Sequence, residues 1–182
     1  MAEPHTKSKV VAESASTTTP TSNTERKVVP IKKYDCDRLS LDEIKKIVKE
    51  HNKSKQPDEF IICQIYKESD FYPCAKSSES TASGFMGLTV TAVMDVIGQN
   101  KGETKEQWRA RARTLHSGLT KEQNIEYATK YLQMRIDRAG DLEKGVNGYG
   151  TGAGYSTNIN ACAECMRRSG VGVACLEKIR KW

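Results

Sequence analysis

The chain has 182 residues, of which 37% are hydrophobic and 29% are charged, and its formal net charge is +6 at pH 7. This length suits one domain with a single core and a tail, and no run of about 18 apolar residues is present that could cross a bilayer. The positive charge favours an acidic partner, such as nucleic acid, an anionic membrane surface or the cell wall, without choosing among them.

Residues 1–33 are rich in Ser, Thr, Lys and Pro and have almost no aromatic side chains. This composition predicts a disordered tail or linker, followed by one domain at 34–182. The N-terminal residues also lack the apolar core of a secretory signal peptide, so we expect either that this is a mature form or that export uses a route without a signal peptide.

Helix starts are marked by capping boxes, in which a Ser or Thr is followed three residues later by Glu or Gln. These boxes begin at Ser40, Thr104 and Thr120. The first box predicts a helix that ends near His51. An apolar segment at 88–97 predicts a further helix. The end of the chain predicts two short helices around Gly170 and Gly172.

Pro57 and Asp58 suit the start of the next helix, and Ser69, Asp70 and Pro73 stop it, which leaves an acidic residue near its end. Ile61, Ile65 and Glu68 fall at positions i, i+4 and i+7, so the carboxylate shares a helix face with two aliphatic side chains. Loss of hydration there raises the pKa of Glu68 and can leave it protonated near neutral pH, as a general acid requires.

The polar segment that follows, 74–83, predicts a loop or a short hairpin. If Glu68 is the general acid of an inverting hydrolase, a second carboxylate about 6.5 to 9.5 Å away is needed to hold the attacking water. The nearest candidates in the sequence are Asp70, Glu79 and Asp95. Each of them also fits the simpler interpretation of a surface acid.

Residues 145–155 contain five glycines and two tyrosines. Such a segment lets backbone approach a ligand closely, and Tyr149 could lie flat against a sugar. A flexible loop would explain the same glycines without any ligand.

The six cysteines suggest up to three disulfides and an oxidising place of action. They allow 15 pairings, among which the sequence does not choose. Buried free thiols are one alternative. A zinc site at Cys162 and Cys165 is another, although no second pair of ligands follows.

Three segments resemble, in order, the motifs of soluble lytic transglycosylases and goose-type lysozymes: 68–75 (ESDFYPCA), 81–88 (TASGFMGL) and 148–154 (GYGTGAG). The resemblance implies a mainly α, lysozyme-like fold, with room for a small hairpin, that cleaves the glycan strands of peptidoglycan. Glu68 matches the glutamate on which that family depends. The chain departs from the motifs at Gly87, where the family usually has glutamine, and at Gly150, where it usually has asparagine.

The resemblance also implies a substrate-binding set around the acid, which consists of Ser69, Gly84, Phe85, Met86, Tyr149 and Gly150. Glu79 is the first choice for a water-positioning carboxylate, because in goose-type lysozymes the water-holding acids follow the glutamate. The family's transglycosylases instead use one carboxyl group and close a 1,6-anhydro ring on the sugar. Neither a metal nor an organic cofactor is expected.

We therefore interpret the chain as a muramidase, and the cysteines with the missing signal peptide resemble the toxins that type VI secretion machines deliver into a rival's periplasm. Phage endolysins are the other lysozymes without a signal. The expected partners are peptidoglycan, an immunity protein that blocks the cleft and a component of the secretion apparatus, with neither nucleic acid nor membrane insertion. The alternative is a non-catalytic module that binds glycan without needing Glu68, or a basic protein whose nucleic-acid affinity falls steeply with salt.

Overall fold

The computed structural model describes residues 36–150 and 154–180, so the predicted tail at 1–33 lies outside the described residues. The described part contains eight helices: α1 (Leu41–His51), α2 (Asp58–Ser69), α3 (Val90–Ile97), α4 (Lys105–Gly118), α5 (Lys121–Ala139), α6 (Leu142–Asn147), α7 (Tyr155–Ser169) and α8 (Val173–Arg180). The mainly α fold class is thus confirmed.

The helix starts follow the capping signals. Ser40, Thr104 and Thr120 each form a complete capping box with the residue three positions later, so α1, α4 and α5 begin where the sequence predicts. Thr89 caps α3 by accepting a hydrogen bond from the backbone amide of Ala92. In the described residues the predicted hairpin is reduced to isolated antiparallel bridges that join 76 to 83 and 83 to 88.

Helix α2 is the central element and packs against α1, α7 and α8. All residues from 60 to 66 are buried. The helix is therefore covered on every side, whereas the sequence pattern indicated one apolar face. Removing this much apolar surface from water is the main favourable term that holds the surrounding helices together.

Helix α2 ends at Ser69 in a left-handed turn, at the first of the three residues, Ser69, Asp70 and Pro73, that the sequence indicated as stopping it. Asp70 and Phe71 have φ values of 50° and 68°, a conformation that costs a non-glycine residue about 1 to 2 kcal/mol. Arg38 offsets this cost: its Nε donates to the carbonyl of Asp70 at 3.0 Å, and its guanidinium lies 5.5 Å from the centre of the Phe71 ring. The amide of Leu39 also donates to the carbonyl of Phe71.

Helix α6 occupies the start of the segment that the sequence indicated as glycine-rich and irregular. Asp141 caps it by accepting a hydrogen bond from the amide of Lys144 at 2.8 Å. Gly145 packs on α5 so closely that an added Cβ would lie 2.5 Å from the Cα of Ile136. This glycine therefore serves helix packing. Helix α7 begins at Tyr155, the last residue of the same segment.

Three disulfides cross-link the described residues: Cys36–Cys74 joins two segments outside the helices, Cys63–Cys162 joins α2 to α7, and Cys165–Cys175 joins α7 to α8, with Cα–Cα distances of 5.2, 6.1 and 5.6 Å. The prediction of up to three disulfides is confirmed in this structure. The two cysteines of the CxxC sequence pair with different partners, so they do not form a joint metal site. In 36–150 and 154–180, no helix is both long and apolar enough to span a bilayer.

We expect the disulfides to stabilise the fold unequally. Cys63 and Cys162 are 99 positions apart, and Cys165 and Cys175 only 10. Loop-closure entropy then gives about 4 to 5 kcal/mol for the first and about 2 to 3 kcal/mol for the second. Replacing each pair by two alanines and measuring the free energy of unfolding in denaturant tests this order. Equal losses, or a larger loss for the short loop, would contradict it.

Candidate active site

Glu68 is the second-last residue of α2 and stands at the border between the core and a surface cleft. Ile61 and Ile65, which share its helix face, are fully buried, while Glu68 itself is half-buried. The cleft has a volume of about 370 Å³, and its lining includes Lys67, Glu68 and Asp70 from the end of α2. The carboxyl group therefore has apolar surroundings on one side and access to solvent on the other.

Tyr155 holds one oxygen of this carboxyl group. Its hydroxyl donates to Oε1 of Glu68 at 2.5 Å and accepts a hydrogen bond from Nε2 of Gln64 at 3.2 Å. Tyr155 is 3% exposed and Gln64 is fully buried. The other amide atom of Gln64, Oε1, has no hydrogen-bond partner among the described residues. Gln64, Tyr155 and Glu68 therefore form a row of hydrogen-bonded side chains that begins in the middle of α2 and ends at Glu68 near its end.

Opposing effects set the pKa of Glu68. Burial raises it by penalising the charged carboxylate, while the hydrogen bond from Tyr155 and the charge of Lys67 lower it. Burial is the largest effect, so the pKa lies above the ordinary glutamate value. Burial, followed by the charge of Glu68, also raises the pKa of Tyr155 well above its usual value, so the phenol keeps its proton and remains a donor.

The second oxygen of the carboxyl group, Oε2, lies against Gly87. A Cβ added at this glycine would come within 2.8 Å of that oxygen, and the backbone there has a φ of 57°. Both the space and the backbone conformation therefore favour glycine. The absence of a side chain at position 87 leaves room beside the acid.

The second motif contributes backbone to the site, and its large side chains belong to the core. The side chains of Phe85 and Met86 are fully buried, so these two residues could meet a substrate only through their backbone, and their predicted place in the substrate-binding set stays a prediction. Gly84 packs directly against the side chain of Asn124. Asn124 accepts from the amide of Met86 at 3.3 Å and donates to the carbonyl of Ser83 at 3.1 Å, so one amide side chain fixes both ends of this turn.

The third motif packs on the second one. The Tyr149 hydroxyl donates to the carbonyl of Met86 at 2.8 Å, and its ring lies 5.6 Å from the ring of Tyr131. Burial, followed by the charge of Glu68, raises the pKa of Tyr149 well above its usual value. Gly150 lies against the Tyr155 ring, which a Cβ would overlap. Both departures from the family motifs, at 87 and 150, are thus glycines that adjoin the Glu68–Tyr155 pair.

The other candidate residues have other hydrogen-bond or ion-pair partners, or are exposed. The Ser69 hydroxyl donates to the carbonyl of Ile65 within its own helix at 3.0 Å. Asp70 and Asp95 form ion pairs with Arg38 at 2.8 Å and Arg138 at 3.6 Å. Glu79 is exposed in a turn where the Ser77 hydroxyl accepts from its amide. The roles predicted for Ser69 and Glu79 stay predictions.

Sequence reasoning missed three residues that arrange the site: Gln64, Asn124 and Tyr155. Gln64 lies one helical turn before Glu68, and that spacing was a usable signal. Tyr155 had a weaker signal, as one of two tyrosines in a glycine-rich segment. Asn124 had none, because its role depends on a contact between α5 and a turn about 40 residues earlier.

We expect Glu68→Gln to stabilise the protein in a pH-dependent way. The pKa of Glu68 is raised in the folded state, so the wild type binds this proton more tightly when folded and loses stability as the pH rises from the unfolded-state pKa through the folded-state one. Glutamine carries no charge but can still accept from Tyr155. The melting temperatures of the wild type and Glu68→Gln should therefore differ little near pH ~3. Near pH ~8 the variant should melt at the higher temperature. A difference that is the same at both pH values would contradict this.

A comparison with protein families matches residues 45–164 to the Transglycosylase SLT domain. The match covers 120 of the 182 residues and includes Glu68, Gly87, Tyr149 and Tyr155. Searches of curated proteins and of solved structures gave no match. With the family model matching about two thirds of a helical chain, the protein belongs to the SLT transglycosylases, enzymes with a lysozyme-like fold that act on peptidoglycan.

Proposed function

We propose that this chain cleaves the β-1,4 bond between N-acetylmuramic acid and N-acetylglucosamine, with Glu68 as the general acid. The observation that carries the proposal is the state of its carboxyl group. Burial raises its pKa, Tyr155 holds Oε1, and Oε2 lies against Gly87, where a Cβ would crowd it. A raised pKa favours the protonated form of a carboxyl group, which can give its proton to a glycosidic oxygen.

In this mechanism the proton of Glu68 passes to the oxygen between the two sugars. The bond from that oxygen to C1 of the muramic acid breaks, and its electron pair stays with the leaving N-acetylglucosamine. The muramic ring passes through an oxocarbenium-like transition state. Glu68, now a carboxylate, then takes a proton from the nucleophile whose oxygen bonds to C1.

The nucleophile decides between two products. Water gives a reducing muramic end and makes the enzyme a hydrolase, whereas the sugar's own 6-hydroxyl gives a 1,6-anhydro end and makes it a lytic transglycosylase. Asp70 and Asp95 are engaged in ion pairs, and Glu79 is exposed. These observations favour a reaction in which Glu68 serves as both acid and base, as in the 1,6-anhydro route.

We expect wild-type protein to release soluble fragments from purified peptidoglycan and Glu68→Gln to release about 100-fold fewer or none, because a glutamine cannot donate the proton. Mass spectrometry of the fragments distinguishes reducing from 1,6-anhydro ends. Glu79→Gln is the matched variant: it should retain activity if Glu68 acts alone and lose it if Glu79 holds a water.

A folded wild type that releases nothing would contradict the enzymatic function and favour a glycan-binding module. In that case the wild type and Glu68→Gln should sediment equally well with insoluble peptidoglycan. If the Glu68→Gln variant keeps wild-type activity, the assignment of Glu68 as the general acid is wrong.

We also propose that the enzyme is an antibacterial toxin that acts in the periplasm of a target bacterium. The three disulfides support an oxidising place of action. The peptidoglycan substrate lies in the same compartment. A type VI secretion component would deliver the protein, and a dedicated immunity protein would cover the cleft beside Glu68.

We expect the wild type to lyse a Gram-negative test bacterium when a signal peptide directs it to the periplasm, and to be harmless when it stays in the cytoplasm. Glu68→Gln should be harmless in both places. Co-expression of the neighbouring gene product in the periplasm should restore growth. Equal toxicity in both compartments, or no protection, would contradict the toxin proposal, and the glycan-cleavage assay would still test the enzyme.

A further inference from the structure

We infer, on the basis of the proposed cleavage of peptidoglycan, that an exposed face of α4 binds the carboxylates of the peptides that the glycan strand carries. Three residues form this α4 basic face: Lys105, Arg109 and Arg113, all of which are exposed. The contact extends the substrate site beyond the sugars at Glu68 and lies outside the cleft.

The two arginines of the α4 basic face differ from other arginines of the protein. Six arginine side chains have a polar partner in the structure: Arg38, Arg111, Arg135, Arg138, Arg167 and Arg168. Arg109 and Arg113 have neither a hydrogen bond nor an ion pair of their side chains within 36–150 and 154–180, and the same holds for Lys105. Their charges are therefore available to a ligand.

The exposed surface of α4 has an excess of positive charge. The helix contains four Lys or Arg residues and one Glu. Arg111 is neutralised by Glu103, to which its Nε and one terminal nitrogen donate at 2.9 and 2.8 Å. Glu106 is exposed and forms no ion pair with the α4 basic face among the described residues. The three charges of that face are therefore opposed on their own helix by a single carboxylate.

Helical spacing places the three basic residues on one side of α4. Lys105, Arg109 and Arg113 follow one another in steps of four, and each step turns only about 40° around the helix axis. A different side packs on the protein, where Ala112 is fully buried and Trp108 contacts the core. The three residues span about 12 Å along the axis, so they can contact an extended polymer at several points.

His116 shows where this side of α4 lies relative to the active site. It follows Arg113 by three positions, so the two residues are neighbours on the helix surface. Its Nε2 donates to the carbonyl of Leu88 at 2.7 Å and lies 3.2 Å from the hydroxyl oxygen of Ser83. The α4 basic face is therefore continuous with the turn at 83–88.

This turn is the wall of the active site beside the acid. The amides of Ser83 and Leu88 each donate to the other residue's carbonyl at 3.0 Å, and Gly87 between them lies against Oε2 of Glu68. A glycan strand whose cleaved bond reaches Glu68 passes this wall. Groups attached to the neighbouring sugars then come within reach of long basic side chains on α4.

The chemistry of the substrate indicates which groups the α4 basic face meets. The sugars within a peptidoglycan strand are uncharged, and the negative charge belongs to the free carboxylates of the peptides on the muramic acid. Arginine binds a carboxylate through two parallel hydrogen bonds. A site for single-stranded nucleic acid would add aromatic side chains on which bases stack. Trp108 of α4 instead packs against the core, so peptide carboxylates fit this face better.

The test measures sedimentation of the Glu68→Gln protein with insoluble peptidoglycan at low salt. Adding Arg109→Gln and Arg113→Gln should weaken binding about 3- to 10-fold, because two charged contacts are lost, and should reduce the effect of salt on binding. Lys46→Gln with Lys49→Gln is the matched control, since both lysines are exposed on α1 and their loss changes the net charge equally. Equal weakening by the two pairs would overturn the inference.

A modified polymer identifies the group that is bound. Peptidoglycan whose carboxylates have been coupled to methylamine with a carbodiimide stays insoluble and lacks the negative charges. On this polymer the arginine substitutions should make no difference. An equal loss of binding on both polymers would overturn the assignment to carboxylates. So would arginine substitutions that weaken binding to single-stranded DNA and leave binding to peptidoglycan unchanged.

Binding and cleavage are measured separately, so the two proposals can fail separately. If the wild type releases fragments but the arginine pair binds peptidoglycan as well as the lysine pair does, the role of the α4 basic face is wrong and cleavage stands. If the wild type releases no fragments but the arginine pair still binds more weakly, only the cleavage proposal fails. All four substitutions are at exposed positions and should leave the melting temperature nearly unchanged.

Discussion

The structure depends on an acidic side chain that stands at the end of its most buried helix. The residues of α2 from 60 to 66 are all removed from solvent, and the helices around them converge on that surface. A carboxyl group at the end of such a helix loses part of its hydration whatever its role. The hydrogen bond from Tyr155 limits the cost without cancelling it, so Glu68 remains an acid with a raised pKa.

The two glycines that depart from the family motifs have a common physical reason. Gly87 leaves space at one oxygen of Glu68, and Gly150 leaves space for the tyrosine that holds the other oxygen. From the sequence alone, each glycine looked like the loss of a polar side chain that would contact sugar. In the structure, the tyrosine ring fills the volume that a side chain at 150 would need. Gly87 and Gly150 therefore both make room for the Glu68–Tyr155 pair, and the absence of the two polar side chains has one common reason.

Local signals in the sequence predicted the helix starts, because capping by Ser40, Thr104 and Thr120 involves only residues three positions apart. They also placed Glu68 at the end of its helix. The fold class and the family followed from motif order. The contacts that decide which side chains reach the acid are not local: Asn124 and Tyr155 act across helices. The burial of Phe85 and the helix around Gly145 likewise depend on packing that no sequence pattern displays.

The turn after Glu68 connects the acid to the N-terminal end of the described chain. Asp70 and Phe71 adopt left-handed conformations that would be unfavourable in isolation. Both conformations are stabilised because Arg38 donates to the carbonyl of Asp70 and lies over the ring of Phe71. The disulfide between Cys36 and Cys74 cross-links the chain near the same turn. The backbone that ends α2, and with it the direction of the Glu68 side chain, is thus supported from outside the helix. An acid placed at a helix end needs such support, since the last turn of a helix has the fewest hydrogen bonds to keep it in place.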